Sequence, residues 1–158
     1  MRGDDFMNEI LRNKVFVDQD LTNACFMNCD LRYANFSNAT LSSVSFMNAD
    51  MRKVNLVGSN CLRHPNARHS HPPTSFKNAD LRGADLSGLI LENVNLTNAD
   101  LREAVLYGTD FDNADLFGAN LSGAKLNNTK LDNARMNEHT ILPDGTNWES
   151  NDSIGRIW

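Results

Sequence analysis

The chain has 158 residues, of which 41% are apolar, and a formal net charge of −5. That length suits one domain. The acid excess argues against direct nucleic-acid binding, which calls for a basic surface, and no apolar run approaches the ~18 residues of a membrane span.

The opening residues, Met1-Arg2-Gly3-Asp4-Asp5, lack the basic-then-apolar layout of a signal peptide. The three cysteines are an odd count at no scaffold spacing. Both features fit reduced thiols and a cytoplasmic location.

From Phe6 onward every fifth residue is large and apolar: Phe6, Leu11, Phe16, Leu21, Phe26 and so on to Leu56, then again from Phe76 to Met136 and Ile141. A small residue, usually Ala, precedes each centre by two, and the residue one before is usually Asp or Asn, as in Ala79-Asp80-Leu81 and Ala119-Asn120-Leu121. A period of five matches neither a helix nor a flat strand. Two inward residues followed by a corner give a flat wall. Four walls close a square turn of about 20 residues, and stacked turns pair at the ~4.8 Å strand spacing. There are 12 centres from Phe6 to Cys61 and 14 from Phe76 to Ile141. They make six to seven coils, a stack of roughly 31 Å.

This pattern resembles the pentapeptide-repeat family. The resemblance covers about residues 4 to 142 and implies an all-β fold, a right-handed quadrilateral parallel β-helix.

The 20-residue coil is written in the sequence. Phe6-Met7-Asn8 recurs as Phe26-Met27-Asn28 and Phe46-Met47-Asn48, but the next copy, Phe76-Lys77-Asn78, comes 30 residues on. Ten residues are therefore inserted, and His64 to Pro73, rich in histidine and proline, reads as a loop. With that correction, Phe6, Phe26, Phe46 and Phe76 stack inside one face. Asn8, Asn28, Asn48, Asn78 and Asn98 line its corner. The next face carries Arg12, Arg32, Arg52, Arg82 and Arg102 beside Asp30, Asp50, Asp80 and Asp100. The two columns are expected to interleave and neutralise each other.

The inward small residue is replaced in the first coil by Asp4, Glu9, Lys14 and Gln19, as a solenoid end requires. At the far end Pro143-Asp144-Gly145 reads as a turn, and residues 143–158 as a capping tail whose Trp148, Ile154, Ile157 and Trp158 cover the last coil. The expected domain plan is thus a β-helix over 1–142, with a loop near 64–73, and the cap. Its expected state is a monomer or a dimer through a terminal coil.

No nucleophile elbow or phosphate loop is present, and a coil filled with Leu and Phe lacks a cleft. No catalytic residue, cofactor or metal is expected. His64, His69 and His71 share the loop but match no familiar zinc spacing, so it reads as a plain mobile surface loop, with a protein-contact element as the alternative. Met7, Met27 and Met47 form an outward column continued by Lys77, Thr97 and Phe117, an adaptable contact surface. Residues 76–158 hold 13 acids and 7 bases, against 7 and 8 in residues 1–75, and include a column of Glu92, Asp112 and Asp132.

The reading that follows is a non-enzymatic scaffold whose partner is another protein. The resemblance implies an alternative, a DNA-mimicking binder of type II topoisomerase that gives quinolone or toxin resistance. Such a mimic needs a largely acidic surface, and the Arg column is wrong for it. Deletion of His64 to Pro73 is expected to leave a folded coil with its β-type circular dichroism. Loss of that signal would show the register to be wrong.

Overall fold

The computed structural model describes residues 1–61 and 73–149. The chain forms an all-β, right-handed quadrilateral β-helix in which each repeat contributes one short strand. The strands pair in parallel in four columns. The first runs through Asp5, Cys25, Ser45, Ser75, Asn95, Asp115 and Arg135. The second runs from Ile10 through Asp30, Asp50, Asp80 and Asp100 to Ile141. Val15, Asn35, Asn55 and Asp85 open the third column, and Asp20, Thr40 and Asn60 the fourth, which includes Ile90, Asp110 and Lys130 beyond the insertion. Ser45 pairs with Ser75, so ten extra residues lie between them, in or beside the stretch 62–72 that is outside the described residues.

The repeat Ala79-Asp80-Leu81-Arg82-Gly83 accounts for the sequence pattern donor by donor. The Ala79 N–H donates to the Phe76 carbonyl at 2.9 Å, closing a four-residue turn. Asp80 N–H donates to Ala49 of the coil before at 2.9 Å, and Leu81 N–H to Asp100 of the coil after at 2.8 Å. Gly83 N–H also reaches the coil after, at Arg102, 3.0 Å away. The fifth donor, Arg82 N–H, has no backbone partner and uses the Asp80 carboxylate at 3.3 Å. The same bond recurs from Thr22 to Asp20, Ser37 to Asn35 and Ser122 to Asn120. Where Asp or Asn stands before the centre, it therefore satisfies a donor that neither the coil nor the turn can reach.

The turn puts its third residue in the left-handed region, where Gly and Asn are favoured. Among the described residues twelve of the seventeen non-glycine residues with positive φ are Asn, so the corner requirement explains the abundance of asparagine. Down the first corner the amides also bond to one another: Asn28 to Asn8, Asn48 to Asn28 and Asn78 to Asn48, at 3.0–3.1 Å. At Gly118 that column loses its side chain. The Asn98 amide oxygen occupies the space a Cβ would take, at 2.3 Å.

The interior is filled from wall to wall. Ala, Val and Cys at the small position and Leu or Phe at the centre are nearly all fully buried between the second and sixth coils. Phe6, Phe26, Phe46 and Phe76 stack with centroids 4.6, 5.3 and 5.1 Å apart. Phe16 and Phe36, not singled out from sequence, stack at 4.7 Å and meet the first column edge-on. Where Thr replaces the small residue, its hydroxyl finds a carbonyl: Thr109 donates to Leu86 at 2.9 Å and Thr74 to Leu41 at 2.7 Å.

Both ends depart from the repeat. Asp4, Glu9, Lys14 and Gln19 are exposed at the first coil, beside a half-buried Phe6. At the far end the register slips by one residue, which corrects the expectation that Ile141 is an inward centre. Ile141 takes the pairing position opposite Asn120, and Leu142 is the buried centre. The cause is an extra residue near Asn137. Its side-chain oxygen accepts the Gly118 N–H at 3.0 Å, doing what a backbone carbonyl does in other coils. The chain then reverses at Pro143-Asp144-Gly145. The Gly145 N–H donates to the Leu142 carbonyl at 2.9 Å, and Asn147 pairs antiparallel with Ile141. Trp148 is half-buried; Ile154, Ile157 and Trp158 lie outside the described residues.

Phe46 sits fully buried between two stacked rings and against the edge of Phe36. Phe46→Ala should cost about 3–5 kcal/mol in denaturant unfolding. Phe6→Ala, at the half-exposed end, should cost clearly less.

Candidate functional site: an arginine groove on the second face

On the second face Asp precedes the centre by one residue and Arg follows it by one, so the two side chains emerge together on the outer surface. Arg32 grips Asp30 with two bonds, Nε to Oδ1 at 2.9 Å and Nη2 to Oδ2 at 2.8 Å. Its Nε also lies 3.4 Å from Asp50 in the next coil. Arg52 repeats this with Asp50 (2.8 and 2.6 Å) and Asp80 (3.5 Å), and Arg82 with Asp80 (2.8 and 2.7 Å) and Asp100 (3.6 Å). Arg102 closes on Asp100 at 2.7 Å, and Arg12 starts the ladder at Asp30. The columns interleave as the sequence suggests. Bidentate pairing of this kind fixes geometry as well as charge.

The Arg52 hydrogen bond holds the Asp50 carboxyl below the usual carboxylate range. Burial pushes Asp100 up, but the bonds from Arg102 outweigh it and the net shift is downward. The guanidinium groups of Arg52, Arg82 and Arg102 shift up through the same bonds.

Beside the arginines runs a groove of about 410 Å³ whose lining does not include the aspartates. Arg32, Arg52, Arg82 and Arg102 form one bank, and Tyr33, Lys53, Gly83 and Glu103 the other. The Lys53 ammonium lies 5.8 Å from the Tyr33 ring centroid, a cation–π distance. Tyr33, Lys53 and Glu103 have φ of 60°, 56° and 60°. Each occupies a left-handed corner that costs such residues roughly 1–2 kcal/mol. Sequence reasoning found the Arg column and missed this second bank. The signal was the corner column Asn13, Tyr33, Lys53, Gly83, Glu103, which abandons Asn after its first coil.

The other candidate residues are scattered over different faces. Met7 is exposed at 41%, whereas Met27 and Met47 are half-buried below it. Phe117, in the same column, is half-buried with the Arg135 guanidinium 4.7 Å from its ring centroid. Glu92, Asp112 and Asp132 do fall one per coil on the fourth face. Asp112 accepts from the amides of Asn113 and Asn133, both at 2.9 Å, and Lys130 bonds Asp110 alongside at 2.8 Å. His64, His69 and His71 lie outside the described residues.

Burial pushes the Cys61 thiol up to about 12 and raises Cys29 as well, so both are neutral packing groups at physiological pH. Cys29 donates to the Phe6 carbonyl. Among the described residues no cluster of His, Cys, Asp and Glu could hold a metal ion. No helix there is long and apolar enough to cross a membrane.

The pentapeptide repeats family model matches residues 24–60, 79–118 and 95–133, with eight copies. The chain belongs to the pentapeptide-repeat family. Two structures of QnrB1, a plasmid-mediated fluoroquinolone resistance protein, share the fold at 15% identity and cover 87% of this chain and 86% of theirs. Their TM-scores are 0.55 (trypsin-treated) and 0.52 (full length). A pentapeptide repeat protein from the Arabidopsis thaliana thylakoid lumen is 31% identical over 79% of this chain and 70% of that one, with a TM-score of 0.33. No curated protein sequence matches.

Folded-state carboxyls held below their unfolded value near ~3.9 contribute stability that is present above that pH and lost as pH falls through the folded value. The arginine shifts lie far above neutrality and add no pH dependence there. Unfolding free energy should therefore be flat from about pH 5 to 8 and fall below about pH 4. Asp50→Asn should lower the plateau and flatten the acid limb, read from urea unfolding across pH.

Proposed function

We propose that the protein is a non-enzymatic scaffold that presents its flat outer faces to another protein. The observation that carries this reading is the filled interior. Leu and Phe occupy the tube throughout, and the buried polar residues are only Ser and Thr, with no buried acid, base or thiolate among the described residues. Chemistry needs a pocket that encloses a reacting group, and the one groove described is open and lined by arginines whose guanidinium groups are held in structural ion pairs.

DNA mimicry is the less supported reading. A mimic presents unbroken acid along its length, but the second-face aspartates are each neutralised by an arginine rung. At 15% identity, QnrB1 supports the fold and carries no function across.

Affinity purification after mild cross-linking is expected to return a stoichiometric protein partner. Titration at micromolar concentration into a gyrase supercoiling reaction should leave both the reaction and its fluoroquinolone sensitivity unchanged. A chain that retains no partner and inhibits or protects gyrase would replace the scaffold reading with the mimic.

A further inference from the structure

We propose that the second-face groove binds an extended acidic segment of a partner protein. The inference rests on the scaffold reading and gives it a partner chemistry. Four independent features point to it.

The first is charge. Five cations, Arg32, Arg52, Lys53, Arg82 and Arg102, line the groove against the single anion Glu103. The ladder aspartates stand outside that lining. In a chain of net charge −5 this lining is locally cationic, although each of the four arginines also pairs with a ladder aspartate beyond it. The rungs run through Nε and Nη2, and each guanidinium carries further donors on Nη1.

The second is backbone strain. Among the described residues only four left-handed corners hold a residue other than Gly, Asn or Asp, and three of them, Tyr33, Lys53 and Glu103, lie in this one column. Residues held in a costly conformation concentrate where the side chain is needed. Asn or Gly would serve the coil better at all three.

The third is shape. Gly83 stands between Lys53 and Glu103 and leaves a notch on that bank. Nothing in the coil forces glycine there. A Cβ would meet only Lys53 Cγ, at an ordinary 3.6 Å, and the φ of +64° is one that Asn adopts throughout the chain.

The fourth is spacing. Arg32 to Arg102 spans three coil steps, about 14 Å at ~4.8 Å per step. In an extended peptide, side chains on one edge recur every ~6.8 Å, so carboxylates at alternate residues span about 14 Å over three residues of one edge. An acidic strand laid along the axis meets the arginine track in register at both ends. A nucleic-acid strand has similar charge spacing, but the acidic protein as a whole repels a long polyanion.

Fluorescence anisotropy with fluorescein-labelled Glu-Ser-Glu-Ser-Glu, its Gln counterpart and an oligothymidylate tests this. The intact chain should bind the Glu peptide at least about ten-fold better than the Gln peptide, and more weakly as salt rises. Gly83→Asn should fill the notch and weaken binding by about ten-fold, whereas Gly88→Asn, at an open corner of the third face, should change nothing. Tyr33→Asn with Lys53→Asn should lose binding and raise the melting temperature by a few degrees, a pairing that a purely structural role would not produce. Equal binding of the Glu and Gln peptides, wild-type affinity in Gly83→Asn, or tighter binding of the oligothymidylate would overturn the proposal. If the peptide fails to bind while a protein partner still co-purifies, the groove assignment falls and the scaffold reading stands.

Discussion

The structure depends on one constraint: a strand that turns a corner every five residues must find a partner for every N–H it carries. Three of the five donors in each repeat reach neighbouring coils, one closes the turn, and one has nowhere to go on the backbone. Where Asp or Asn precedes the centre, its side chain takes that last donor, as Asp80 does for Arg82. The Asp/Asn position, the left-handed corner and the small inward residue are three consequences of this closure. The apolar centre adds burial on top. Stability is then close to a sum of coil and nearest-neighbour terms, which is why the stacked Phe column matters more in its middle than at its end.

Much of this was legible in the residues. Period five gave the wall and period twenty gave the coil; the step of thirty located the insertion. The columns of Phe, Asn, Arg and Asp followed from that register, and the Arg–Asp interleaving followed from their adjacency. Three things were not legible. The second stack, Phe16 on Phe36, was hidden because it is only two rings tall before Leu56 replaces it. The slip at Asn137 was hidden because Ile141 is apolar in the expected place, although the buried side chain is Leu142. The groove was hidden because its outer bank consists of corner residues, which the periodicity treats as filler. Tyr33, Lys53 and Glu103 are conspicuous only once their φ values show that the corner disfavours them.

The two polar faces also behave differently for a physical reason. On the second face the charges lie within one repeat of each other and satisfy one another rung by rung, which keeps Asp50 ionised and its arginine fixed. On the fourth face Glu92, Asp112 and Asp132 repeat the same sign, and the relief comes from asparagine amides and a neighbouring lysine. The first arrangement builds a rigid track with spare donors on its outer side. The second builds a soft acidic edge.

The slip at Asn137 has a consequence for how the solenoid stops. An insertion of ten residues preserves the five-residue phase, so the three or four later repeats of each face follow it in register. An insertion of one shifts that phase, and the sequence after it shifts as well: Thr140 is the buried small residue and Leu142, not Ile141, the centre. Here the shift falls in the last coil, where Asn137 lends a side-chain oxygen to the missing carbonyl and Gly145 lets the chain reverse. Asn147 then pairs antiparallel with Ile141, on the side where the strand of a next coil would lie. That pair works as punctuation: it occupies the template a further coil would need.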